Sequence, residues 1–268
     1  MTPDRSTAAA LSGLTVSHYR VGEQLGAGGM GEVYQAEDTR LGRQVALKFL
    51  RHGHDDPSEQ ARLLREARAA SSLRSSNIAA IYDLGEHETR PFIVMELVDG
   101  EPLSARVSRG PLAIADAVAI AAQAADALDE AHQHGIIHRD IKSANLMVDE
   151  RGRVKLLDFG LARFIEQRDA DLTRTGVVET VAGAVMGTFA YMSPEQVRGR
   201  PLDARTDLFS LGVVIYEMIA GRLPFDGATV TEVADAILNH EPAALARFNY
   251  NVPQALSLIH ISEPTRPY

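Results

Sequence analysis

Hydrophobic and polar positions alternate in short runs over the first third of the chain and recur at three- and four-residue spacing over the rest. Between Tyr19 and Met95 the runs YRVGEQLG, GEVYQAED, RQVALKFL and PFIVMEL read as strands set off by glycines or charged breaks. Ser58 to Leu73 has a different rhythm, with Leu63, Ala67, Ala70 and Leu73 near one helical face and Arg62 and Arg65 outside it. From about Leu112 the pattern turns helical. IADAVAIAAQAADALDEAHQHG predicts one long amphipathic helix stopped at Gly135, and VVIYEM and VTEVADAILNH predict two more. A small sheet with one helix followed by a helical remainder predicts an α+β chain of two lobes, joined near Val98-Asp99-Gly100.

The expected boundaries are a flexible tail over residues 1–18, a first lobe over 19–97 and a second over 98–255. The tail carries an acid and no uninterrupted apolar core, unlike a signal peptide. No apolar run approaches the roughly 18 to 20 residues that span a bilayer; Leu208 to Ala220 is broken by Glu217, so no membrane segment is expected. The chain has 268 residues, 45% hydrophobic and 24% charged, an ordinary globular composition that excludes disorder and collagen. It has no cysteine, which removes disulfides, thiolate metal sites and cysteine nucleophiles together and slightly favours a cytoplasmic location. A net charge of −9 makes nucleic acid and anionic membranes poor partners. Lysine occurs only at Lys48, Lys142 and Lys155, and every other basic side chain is arginine. Where lysine persists, a compact ammonium is a candidate requirement.

Two of the lysines sit in motifs with chemical meaning. Gly26-Ala27-Gly28-Gly29-Met30-Gly31 lies between two strand-like runs, where glycines let backbone amides approach phosphates. The loop returns into a strand instead of opening a helix, which sets aside a dinucleotide fold. Val45-Ala46-Leu47-Lys48 follows, with Ala46 and Lys48 on one side of the strand; Glu66 on the predicted helix is the expected counter-charge for Lys48, and phosphates supply the rest. His138-Arg139-Asp140-Ile141-Lys142-Ser143-Ala144-Asn145 follows the long helix, and Asp158-Phe159-Gly160 follows that. In phosphoryl transfer Asp140 can accept a hydroxyl proton, Lys142 can meet the transferred group, and Asn145 and Asp158 are oxygen ligands suited to Mg²⁺.

On these motifs the chain resembles the eukaryotic-like Ser/Thr protein kinase family, in its bacterial branch. GAGGMGEV resembles the glycine-rich loop, VALK the strand lysine, REAR the helix glutamate, HRDIKSAN the catalytic loop, DFGLAR the magnesium motif and GTFAYMSPEQ the end of the activation loop. The resemblance covers roughly Tyr19 to Leu256 and implies a bilobal kinase fold, ATP and Mg²⁺ as cofactors, and proteins with Ser/Thr hydroxyls as substrates. It also implies that Gly26, Ala27, Gly28, Gly31, Val33, Ala46, Lys48 and Met147 line the nucleotide site, with Met95 as gatekeeper and Glu96 to Val98 as the segment that meets adenine. Asp207 matches an aspartate that anchors the catalytic loop, a helix N-cap being the other reading. Thr180, with Thr173 and Thr175 behind it, is expected to be phosphorylated and to pair with Arg139, through self-association for trans-autophosphorylation. His132, His134, His52 and His54 read as surface residues. A pseudokinase and a small-molecule phosphotransferase are the rival classes; the intact Lys48, Asp140 and Asp158 argue against the first, and GTFAYMSPEQ against the second.

From Leu256 the expected helical pattern gives way to LSLIHISEPTRPY, which resembles the translation of a sequencing-library adapter. Residues 256–268 are therefore expected to be a non-native tail, with the second lobe incomplete and the parent protein open to a membrane anchor beyond it.

Overall fold

The computed structural model describes residues 11–28, 31–50, 67–88, 90–158, 184–250 and 252–253, with the side chains of 184–186 excepted. Glu66, Thr173, Thr175, Thr180, His52, His54 and the tail from 256 lie outside the described residues. The chain divides into two compact units, one of Met1–Ser72 with Ala79–Val98, the other of Leu73–Ile78 with Asp99–Tyr268.

The first unit is a six-stranded sheet of β1 (Thr15–Val16), β2 (Tyr19–Gly28), β3 (Gly31–Asp38), β4 (Arg43–Leu50), β5 (Ile81–His87) and β6 (Arg90–Glu96). Their order is β1-β2-β3-β4-β6-β5, and every neighbouring pair is antiparallel. The alternation in the sequence sets the packing: Tyr19 and Val21, Tyr34 and Ala36, and Val45, Leu47 and Phe49 meet Phe92 and Val94 in one core. Tyr34, Phe49 and Phe92 hold it with rings 5.8 and 5.4 Å apart. β4 is buried on both faces from Val45 to Leu50. Residues 67–70 are helical, within the predicted Ser58–Leu73 helix.

The second unit has a three-stranded sheet of β7 (Glu101–Pro102), β8 (Leu146–Val148) and β9 (Val154–Leu156). Its helices are α1 (Leu103–Val107), α2 (Ile114–Gln133), α3 (Ala184–Phe189), α4 (Pro194–Val197), α5 (Ala204–Ala220) and α6 (Val230–Asn239), with 3₁₀ turns at Ser143–Asn145 and Leu245–Arg247. In α2 the residues Ala117, Ile120, Ala124, Ala127, Leu128 and Ala131 are buried, the three- and four-residue spacing of one face, which packs on α5. Truncating Leu128 to alanine would cost about 2 to 5 kcal/mol. The Asp203 carboxylate caps α5, and Gly221 at φ +68° ends it in the left-handed conformation that glycine tolerates.

Three features depart from the sequence reading. Thr15–Val16, expected in a flexible tail, is a strand paired with Tyr19 and Arg20, because Val16 is an apolar side chain the core accepts. Residues 73–78, expected in the first lobe, belong to the second unit: Leu156 N–H donates to the Asn77 carbonyl at 2.8 Å, and Asn77 Nδ2 donates to the Val154 carbonyl at 2.9 Å. β5 carries too many polar residues to read as a strand, and it lies at the sheet edge where such residues are tolerated.

Candidate active site

The segment between α2 and β8 has almost no regular structure, yet it is held by a dense set of side-chain hydrogen bonds. The Asp140 carboxylate, buried, is held from two sides. Lys142 Nζ donates to Asp140 Oδ1 at 3.0 Å and Oδ2 at 2.8 Å, and its third proton goes to Thr188 Oγ1 at 3.2 Å. Asn145 Nδ2 donates to Asp140 Oδ2 at 2.9 Å and to the Asp140 carbonyl at 2.8 Å. Both amide protons of Asn145 are thus spent inward, and its oxygen Oδ1 remains as the acceptor for a cation.

His138 sits beneath this carboxylate, fully buried. The Asp140 N–H donates to His138 Nδ1 at 3.2 Å, so the ring proton is on Nε2, which donates to the Leu157 carbonyl at 2.7 Å. Leu157 N–H donates in turn to the Asn145 carbonyl at 2.9 Å, which ties the residue before Asp158 to the catalytic turn. Asp158 has φ +62° and Arg139 φ +69°, two of the four non-glycine residues in that region among the described residues. Strained backbone gathered around one set of polar side chains is typical of a functional site.

Asp207, at the first turn of α5, holds the strained Arg139. Its Oδ1 accepts the Arg139 N–H at 2.7 Å and its Oδ2 the His138 N–H at 2.8 Å. Asp203, not Asp207, is the N-cap of that helix, which decides between the two readings of Asp207. His132 corrects the reading of it as a surface residue: its Nε2 lies 2.8 Å from Asp207 Oδ2, and its side chain is 15% exposed. The missing signal was the partner, which is 75 positions away in sequence.

Asn145 and the carboxylate of Asp158 form a pair of hard oxygen donors within one unit, and Mg²⁺ takes one or two protein oxygens and completes its shell with water and phosphate. The residues present therefore fit such an ion. Among the described residues no group of three or more His, Asp or Glu side chains gathers as an all-protein metal cage, the arrangement Mg²⁺ does not use.

The other residues expected to line a nucleotide site fall mostly in the first unit. Gly26, Ala27 and Gly28 form the exposed end of β2, and Gly31 and Val33 open β3. At Gly31, φ is +142° and a Cβ would collide with the Phe49 carbonyl oxygen, so only glycine fits. Val33 pairs with Lys48, Ala46 with Met95 and Val45 with Glu96. Lys48 is 3% exposed and shares its strand face with Ala46. Val98 is the last residue of the first unit, and Met147 lies in β8 of the second.

Sequence reasoning missed several members. Gln196 donates through Nε2 to the Arg139 carbonyl at 2.8 Å while completing a capping box with Ser193. Ser143, Tyr191 and Glu217 are joined in one hydrogen-bonded chain. The visible signal for it was Glu217 itself, a lone charge inside the apolar run of α5.

The sequence profile of the protein kinase domain matches residues 19–262. The serine/threonine-protein kinase PknB of Mycolicibacterium smegmatis is 44% identical over 247 residues, 90% of this chain and 38% of that protein. PrkC of Bacillus subtilis, also named a serine/threonine-protein kinase, is 40% identical over 243 residues, 90% of this chain and 36% of that protein. The chain thus spans less than two fifths of the length of these relatives. A crystal structure of the Mycobacterium tuberculosis PknI kinase domain superposes with a TM-score of 0.65 at 28% identity, covering 89% of this chain and 84% of that one. Sheet, helices and catalytic segment are those of that fold, and the chain belongs to the protein kinase family, in the bacterial branch of its eukaryotic-like Ser/Thr members.

Proposed function

We propose that the chain is an ATP-dependent protein kinase that transfers the γ-phosphate to Ser and Thr hydroxyls of proteins. The observation that carries this reading is the Asp140 carboxylate, both oxygens of which are held by Lys142 and Asn145. A carboxylate so held orients an acceptor hydroxyl and takes its proton as the oxygen attacks phosphorus. Lys142, bridging Asp140 and Thr188, places one positive charge where the transferred group gains negative charge. Mg²⁺, when bound with ATP by Asn145 and Asp158, neutralises charge on the phosphates. The glycines of β2 and β3 offer backbone amides to those phosphates, and Lys48 offers its ammonium with Glu66 as partner. Met95, and Glu96 to Val98, meet the base in the same reading.

Control by phosphorylation at Thr180, Thr173 or Thr175, through self-association, is part of this proposal. Its support is Arg139, whose Nε is buried without a hydrogen-bond partner among the described residues. A guanidinium in that state suits a phosphate brought by the chain itself. A cytoplasmic location belongs to the same reading; among the described residues no helix is long and apolar enough to cross a membrane.

The test is transfer of ³²P from γ-labelled ATP to the chain and to a generic basic protein, followed by phosphoamino-acid analysis. Label on serine and threonine is expected, and its loss on chelating Mg²⁺. Tight ATP binding with no transfer to any acceptor would instead identify a pseudokinase.

A further inference from the structure

Glu217 is a carboxylate in the last turn of α5, beside the buried Val213, Val214, Met218 and Ile219, and it makes no ion pair among the described residues. A carboxylate left in such a place without a cation is costly, and an apolar side chain would serve packing better. Its contacts show what it holds. Tyr191 Oη donates to Glu217 Oε2 at 2.7 Å. An ionised carboxylate only accepts, so the phenol proton is committed to Glu217. The contact of 2.9 Å between Ser143 Oγ and Tyr191 Oη then runs from serine to phenol. The three residues come from three elements: the 3₁₀ turn of the catalytic segment, the stretch between α3 and α4, and α5. Ser143 is 1% exposed and Tyr191 8%, and Ser210 Oγ pins the Tyr191 carbonyl at 2.7 Å.

We propose that Ser143, Tyr191 and Glu217 form a positioning brace that sets the orientation of the catalytic turn, and through it of Asp140. Ser143 begins the turn that Asn145 N–H closes on the Lys142 carbonyl at 2.9 Å. Lys142 precedes Ser143 and Asn145 ends the turn, and these two side chains are the ones that fix the Asp140 carboxylate. A rotation of Ser143 therefore moves both. The three brace residues act through the turn. The electrostatics agree: burial pushes the Tyr191 phenol far above its ordinary range and the Glu217 carboxyl upward, and the hydrogen bond that Tyr191 donates to Glu217 opposes the second shift.

This inference rests on the kinase reading, and the experiment separates the two. Ser143→Ala, Tyr191→Phe and the double variant are compared with the wild-type chain for kcat, KM for ATP and for a protein acceptor, affinity for a fluorescent ATP analogue, and melting temperature. Tyr191→Phe keeps the ring, and Ser143→Ala removes one small group. Each single variant is expected to lose about five- to twentyfold in kcat with KM for ATP and analogue affinity within about twofold, and the double variant to be no worse than the poorer single. Losses that multiply in the double variant, unchanged kcat, or kcat loss that tracks the unfolded fraction would overturn the brace while leaving the kinase reading intact. A wild-type chain that transfers no phosphate would remove both.

Discussion

Asp207 Oδ1 accepts the backbone N–H of Arg139 at 2.7 Å, and Arg139 stands at φ +69°, a conformation that costs a non-glycine residue about 1 to 3 kcal/mol. The same carboxylate takes the His138 N–H and lies against His132. Asp207→Asn keeps the shape but replaces one acceptor oxygen with an amide donor, stranding a buried N–H at about 1 to 3 kcal/mol. A lower melting temperature and a fall in kcat of about a hundredfold are expected, with nucleotide affinity within about threefold. Thermal melts and steady-state kinetics check it; wild-type values for both would show that another group holds the loop.

Asp140→Asn tests the orienting carboxylate. The amide cannot take a proton and meets the Lys142 ammonium with half its acceptors lost. Turnover should fall by about 10²- to 10⁴-fold while affinity for an ATP analogue stays near wild type. Initial rates at saturating ATP decide the matter, and a variant turning over at the wild-type rate would reassign the role.

Gly31→Ala places a methyl against the Phe49 carbonyl at a φ of +142°. Since Gly31 pairs with Leu50 and opens β3, the strain has to move the start of that strand. The expected cost is about 1 to 3 kcal/mol of stability, with KM for ATP raised about tenfold. Gly26→Ala is the control, because a Cβ there meets nothing within 4 Å. Equal behaviour of the two variants would contradict the steric argument.

Acid should weaken the first unit through Asp38. Burial pushes its carboxyl up, but the N–H groups of Leu41 and Arg40, with His18 and Arg43, outweigh this and bring it below its ordinary value of 3.8. A carboxyl lowered in the folded state stabilises it above the unfolded value, and that contribution fades as pH falls from about 5 through the lowered value. Urea midpoints measured from pH 6 to pH 3 should fall more gently for Asp38→Asn than for wild type. Parallel curves would rule Asp38 out as a source of the acid slope.

The catalytic motifs were legible because their chemistry is local: Asp140, Lys142 and Asn145 lie within six positions, and the structure brings them within 3.0 Å of one another. The strands at Tyr19, Arg43 and Arg90 were legible for the same reason, local runs of seven to ten residues set off by glycines or charged breaks, alternating at the start of β2 and largely apolar without alternation in β4 and β6. What escaped is long-range. His132 reads as surface until Asp207 meets it, and Ser143 reads as filler until Tyr191 and Glu217 do. Short strands such as Thr15–Val16 and Glu101–Pro102 have no period to detect; their partners create them.

The hairpin of β2 and β3 is stiff along one rail and compliant along the other. β3 is paired on both edges, and Arg90 reaches past β4 to clasp Glu32 at 3.1 Å, while among the described residues β2 beyond Arg20 has no strand outside it and carries two register shifts before Gly26. Amide hydrogens from Gln24 to Gly28 should exchange long before those from Tyr34 to Asp38. Substitutions in Glu23 to Gly28 should therefore leave the sheet's stability nearly unchanged, whereas those in β3, paired on both edges, should decide whether the sheet holds at all.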